Sequence, residues 1–277
     1  MRAAAVQINS TADKDRNLEV ADRLVRAAVA DGAELVALPE KWNLLGDGEA
    51  LVAGAESLGG PSLAAARDWA RELGVHLVAG SIAELAADSE RLFNTSVLFD
   101  PDGEAAATYR KIHMFDVEVG GVVYRESAYE QPGEEIVVAE AGGLELGLTV
   151  CYDLRFPELY RILAVSGARA ITVPSAFTLA TGRDHWEVLL RARAIENQVF
   201  VIAPNQIGDA PPSYSSYGRS ALVDPWGVVL ARAPDSECFV AAELDLEAQE
   251  RIRERLPSLA NRRPLAYRWP ELSEVTG

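Results

Sequence analysis

Three side chains able to share one reaction stand at the ends of apolar runs. Cys151 closes one such run and leads at once into charge in "VCYDLRFPELYR". A cysteine at a strand end is most often a packing residue. Set before a helix, it gains backbone N–H groups and a positive dipole end, which favour a thiolate and an oxyanion. Glu40 closes "ELVALPE", where partial desolvation raises a carboxylate toward the range of a general base. Lys111, in "YRKIHMFD", follows a third run. Each taken alone reads as an ordinary strand-end residue. Together they supply a nucleophile, a base and a cation, at the strand ends where α/β sheets assemble their sites. The other cysteine, Cys238, lies inside an apolar strand and reads as packing. Of the three histidines, His76 belongs to an apolar strand, and His113 and His185 leave open a Cys/His pair that has no local signature.

The elements that must hold these residues alternate. Apolar runs predict strands over 3–8, 35–38, 75–79, 92–99, 105–109, 136–139, 145–150, 170–173, 199–203, 221–223, 228–231 and 239–244. Helices are predicted over 15–30, 62–73, after Pro157, and over 184–197 and 246–255. In the first, Glu19, Asp22, Arg23 and Arg26 line one side, and Leu18, Ala21, Val25 and Ala28 the other. "DPDG" and "DPWG" mark two hairpins. Residues 111–133 read as a long irregular, lid-like loop. With no linker or break in composition, the chain reads as one α/β domain. Its mixture of parallel units and hairpins implies two sheets with helices outside.

The 277 residues are 49% hydrophobic and carry a formal net charge of −16. That charge disfavours nucleic acid and anionic membranes as partners. Two cysteines cannot build a disulfide framework, so a reducing cytoplasm is the expected location. "MRAAAVQINS" lacks the apolar core of a signal peptide, and no run is long enough to span a bilayer. Histidines and cysteines are too few and too scattered for a zinc site.

In order and context, "LPEKW", "YRKIHMFD" and "VCYDLRFPEL" resemble the motifs of the nitrilase, or carbon–nitrogen hydrolase, superfamily. The likeness runs from "AAAVQINS" to "LAYRW". It implies a single-domain, four-layer α-β-β-α sandwich. It also implies a catalytic Glu40–Lys111–Cys151 triad, with Glu126 in "YRESAYEQPGE" as a second, assisting glutamate and no metal or organic cofactor. Dimers formed through helices, or higher homo-oligomers, are implied as well, and the tail from about 257 is expected to pack against a partner. Tyr152-Asp153 stands where nitrile-cleaving members carry Trp-Glu. "CYDLRFPELYR", "PSAFTLATGRDHWEVLLRARAIENQVFV" and "SYGRSALVDPWG" resemble the omega-amidase and deaminated glutathione amidase branch. A small carboxylated amide is the substrate so implied. Tyr152, Arg155, Phe177, Thr181 and Arg183 are the candidate binding residues, with Arg155 or Arg183 gripping the carboxylate. Hydrolysis of N-carbamoyl compounds or nitriles on the same fold, and a non-catalytic binding member, are the alternatives.

Overall fold

The computed structural model describes residues 1–86, 89–119, 121–210 and 214–268. Its architecture follows from the two-residue period of the first strand, Arg2–Ile8. Ala4, Val6 and Ile8 point to one side. There they pack on Ala21, Leu24 and Val25 of the helix Lys14–Ala30, and with Leu63, Ala66 and Trp69 of the helix Pro61–Leu73. Ala3 and Ala5 point the other way, joining Leu35, Ala37 and Val78 against Leu146, Leu148, Ile171 and Val201 of a second sheet. Leu159 and Leu163 of the helix Pro157–Val165 belong to that same core, as do Trp186, Leu190 and Ala194 of the helix Leu179–Asn197. The layers therefore run helix, sheet, sheet, helix. Each large aliphatic side chain removed from water contributes about 1.5–3 kcal/mol. Small alanines on the inner face of the first strand let the sheets approach.

Nine strands form the first sheet among the described residues. At its centre Arg2–Ile8, Leu35–Ala37 and His76–Val78 run parallel. Phe93–Phe99 and Ala105–Arg110 continue it as a hairpin. Cys238–Glu243 lies antiparallel along the first strand. The six-stranded second sheet has Leu144–Leu148, Ala170–Thr172 and Phe200–Ala203 in parallel at its centre. Glu40, Lys111 and Cys151 each follow the C-terminal end of a strand from these two sheets.

Two expectations need correction. Residues 111–133 are not one irregular loop. Asp116–Val119 and Val122–Arg125 pair as a hairpin, followed by the 3-10 turn Glu126–Ala128. The "DVEV" and "VVYR" runs alternate as strands do, and Gly121, at φ +76°, supplies the left-handed turn residue. The helix expected over 184–197 begins five residues earlier, at Leu179. Thr178 caps it through its side chain, and helical position 182 is glycine because a Cβ there would stand 2.3 Å from Tyr217. The short helix Gly48–Ala53, capped by Asp47, had not been expected. In the tail, Leu265 and Tyr267 stand 97% and 69% exposed around a 3-10 turn, and residues 269–277 lie outside the described residues.

Candidate active site

Cys151 opens a 3-10 turn, Cys151–Arg155, directly after its strand. Its backbone is left-handed, at φ +47°, and its N–H donates to the Pro174 carbonyl at 2.8 Å. Asp153 locks the corner. One carboxylate oxygen accepts from Val150 N–H at 2.8 Å and from the Tyr109 hydroxyl at 2.6 Å. The other lies 2.7 Å from His113 Nδ1. The nucleophile's turn is thus tied to the chain on both sides of Lys111.

Glu40 is buried, and both of its carboxylate oxygens are engaged. Oε1 accepts from Asn94 Nδ2 at 2.8 Å and from Lys111 Nζ at 3.2 Å. Oε2 accepts from Ala176 N–H at 2.8 Å. Lys111 Nζ also sits 2.8 Å from both oxygens of Glu126, and Glu126 Oε2 accepts from Phe115 N–H at 2.6 Å. The structure therefore gathers the triad and Glu126 into one buried cluster. Burial alone would pull the Lys111 ammonium down, but the Glu126 and Glu40 carboxylates hold it well above the ordinary lysine value. Burial would likewise raise Glu126, yet Lys111 and Lys41 bring it down to about 2. Burial, reinforced by the negative charge of Glu40, pushes the Cys151 thiol well up. At rest the sulfur keeps its proton and faces a carboxylate able to take it.

The cluster opens on a cavity of about 360 Å³. Tyr152, Arg155, Phe177 and Thr181 line it, as do Phe115 and Tyr129. The half-buried Arg155 guanidinium lies 5.1 Å from the Phe177 ring and 3.2 Å from His185 Nδ1. Asp153 is occupied as described above, and no carboxylate pairs with Arg155 among the described residues. Arg183 is exposed on its helix and is not part of the cavity wall. His113 stacks on Phe156 at 3.5 Å, held by Asp153 and away from the cavity wall. Cys238 is a half-buried free thiol on its strand, also outside the cavity.

The sequence profile of carbon-nitrogen hydrolases matches residues 2–254. The chain belongs to the carbon-nitrogen hydrolase family. It hydrolyses carbon–nitrogen bonds other than peptide bonds. Over 265 residues it is 39% identical to a deaminated glutathione amidase of Synechocystis, covering 94% of this chain and 97% of that one. It is 38% identical over 267 residues to the omega-amidase NIT2 of Xenopus tropicalis, covering 96% of each. The C. elegans NitFhit protein superposes with a TM-score of 0.89 at 36% identity, over 96% of this chain and 66% of that longer one.

Several residues of this hydrolase's site were not singled out in its sequence. Asn94, inside an apolar strand, holds the Glu40 carboxylate. Lys41, directly after Glu40, is buried, and its Nζ lies 2.5 Å from Glu130 Oε1. Adjacency to Glu40 was the available signal for Lys41. Glu130 stands four residues after Glu126, and its backbone N–H donates to the Glu126 carbonyl at 2.9 Å.

Proposed function

We propose that this hydrolase cleaves the terminal amide of a small carboxylated substrate through a Cys151 thioester, releasing ammonia. One observation carries the reading. A buried carboxylate, an ammonium and a buried thiol meet at the floor of a cavity whose wall holds a guanidinium with no carboxylate partner among the described residues. The names of the two amidase relatives agree with it.

In this mechanism Glu40 takes the thiol proton as sulfur attacks the amide carbon. The carbonyl electrons move onto oxygen. The oxyanion lies between the Lys111 ammonium and the N–H of Tyr152, which sits at the start of the 3-10 turn where N–H groups lack intrahelical partners. Glu40 returns its proton to the leaving nitrogen, the C–N bond breaks, and ammonia departs. Water then adds to the thioester as Glu40 takes its proton. When the C–S bond breaks, Glu40 gives that proton back to sulfur, and the acid is freed. Glu126 fixes the Lys111 ammonium throughout.

Arg155 is the carboxylate clamp of this reading, because it alone of the two candidate arginines reaches the cavity. Arg125 also borders the cavity, from the hairpin. The free thiols of Cys151 and Cys238 suit a reducing cytoplasm, and no helix of the described residues is long and apolar enough to cross a membrane. We further propose a homodimer through the outer helices, where Ile162, Val165, Val188 and Ile195 are exposed.

The test is ammonia release from 2-oxoglutaramate, 2-oxosuccinamate, deaminated glutathione, N-carbamoyl amines, simple nitriles and an uncharged short-chain amide. Carboxylated amides are expected to lead. Arg155→Met should raise KM for them at least about tenfold, the scale of one charge-assisted hydrogen bond, and should leave the uncharged amide nearly unaffected. Arg183→Met should change neither. Wild-type preference for the uncharged amide, or for a nitrile, would overturn the reading.

A further inference from the structure

Five buried ionisable side chains cluster at the site: Glu40, Glu126, Lys41 and Lys111 line the cavity, and Glu130 lies behind them, out of its wall. With every group ionised, the cluster would hold one uncompensated negative charge away from water, a costly state. A single proton removes it, and the contacts locate that proton. Glu40 and Glu126 each have both oxygens engaged by N–H or ammonium donors. Glu130 is fully buried, and only its Oε1 is served, by Lys41 at 2.5 Å. Its Oε2 meets no donor. The Glu130 and Glu126 carboxyl groups lie within hydrogen-bond reach of each other, which two buried carboxyl groups sustain only when one carries a proton.

We propose that Glu130 is a protonated positioning residue, whose carboxyl O–H donates to Glu126 while its other oxygen accepts from Lys41, so that Glu126 is fixed beneath Lys111. Lys41 faces this carboxyl from the corner after Leu35–Ala37, and Glu126 and Tyr129 face it from the loop. Lys111 faces it from beyond Ala105–Arg110. Burial and the charge of Glu126 push Glu130 up to about 8, against the pull of Lys41. The proton is held below about 8 and lost as pH rises through it. Ionised Glu130 then repels Glu126, the support under Lys111 loosens, and turnover falls on the alkaline side.

This inference rests on the amidase reading for its kinetic readout only; the proton itself is read in the resting enzyme. Glu130→Gln keeps both contacts, because the amide nitrogen donates to Glu126 and the amide oxygen accepts from Lys41, but it cannot ionise. Its kcat/KM at neutral pH should stay within about threefold of wild type, a displacement too small to misplace Lys111, and the alkaline fall near pH 8 should vanish. Glu130→Leu removes both contacts. It should lower kcat by about tenfold to a hundredfold, as a misplaced group does, with KM nearly unchanged. Infrared spectra of resting wild-type enzyme should show a protonated carboxyl C=O band that is missing in Glu130→Gln. No such band overturns the proposal, as does an unchanged alkaline limb or an inactive Glu130→Gln enzyme. Should none of the amides be turned over, the infrared comparison decides alone.

Discussion

In the proposed mechanism Cys151 depends on its neighbour for reactivity. Burial and the Glu40 carboxylate push the thiol well up, so that mechanism needs Glu40 to remove the proton as sulfur attacks. Glu40→Gln keeps the contact to Asn94 but cannot accept a proton, and should lower turnover by about 10²–10⁴-fold. Intact mass spectrometry of substrate-treated enzyme should find the acyl adduct in Cys238→Ala and none in Cys151→Ala, both folded. His113→Asn should cost far less than Glu40→Gln, because His113 only braces Asp153; equal losses would overturn the carboxylate-base mechanism. Glu40, Lys111 and Cys151 were legible in the sequence only as a set: each alone reads as an ordinary strand-end residue, but a carboxylate, an ammonium and a thiol of complementary chemistry, each where an apolar run stops, make a pattern. Lys41 and Glu130 were not legible. A lysine beside a glutamate, or a glutamate in a polar loop, reads as a solvated residue until tertiary folding buries the two against each other. Nor could local spacing tell Arg155 from Arg183, since the choice depends on which helical turn faces the cavity.

At the level of elements, the Glu40 corner is held by the segment that follows the strand His76–Val78. Trp42 Nε1 donates to the Ala79 carbonyl at 2.9 Å, and Lys41 N–H donates to Ser81 Oγ at 3.1 Å. Between them Gly80, at φ +45°, lies so close that a Cβ would stand 2.0 Å from the Pro39 carbonyl oxygen. Gly80→Ala should therefore destabilise the fold by about 1–3 kcal/mol and more, as overpacking plus a left-handed backbone demands. Gly74→Ala has the same sign of φ but open space around it, and should cost only about 1 kcal/mol. Calorimetric Tm values for the two variants give the comparison; equal shifts would mean that the corner yields. Central strands were readable as unbroken apolar runs because they are buried on both faces, and most helices by their apolar and polar sides. The hairpin Asp116–Val119/Val122–Arg125 was missed because its four-residue strands are short and polar on alternate positions. The early start of Leu179–Asn197 was missed because Gly182 reads as a breaker when its contact with Tyr217 is unknown.

The whole molecule presents Val188 at 66% and Ile195 at 48% exposure on the same helix, with Ile162 and Val165 exposed on the neighbouring one. A protein of net charge −16 repels its copies at long range, so a lasting contact needs such an apolar face. Light scattering should give a dimer mass for the wild type and a monomer mass for Val188→Glu/Ile195→Glu. A wild-type monomer would refute the homodimer. The acidic surface and the nearly balanced charge of the site are separate matters: the first governs how copies meet, and the second is set by buried partners that salt screens weakly.

The left-handed backbone at Cys151 has a consequence of its own. A residue with a Cβ at φ +47° sits in a conformation that glycine adopts freely and other residues resist by about 1–2 kcal/mol. The fold therefore holds its reactive sulfur in a position that its own backbone would rather fill with glycine. Under the proposed mechanism, the need for a thiol at this corner is what opposes its replacement by glycine. Among descendants freed from the reaction, position 151 should be an early one to drift, ahead of the core strands that now hold it in place.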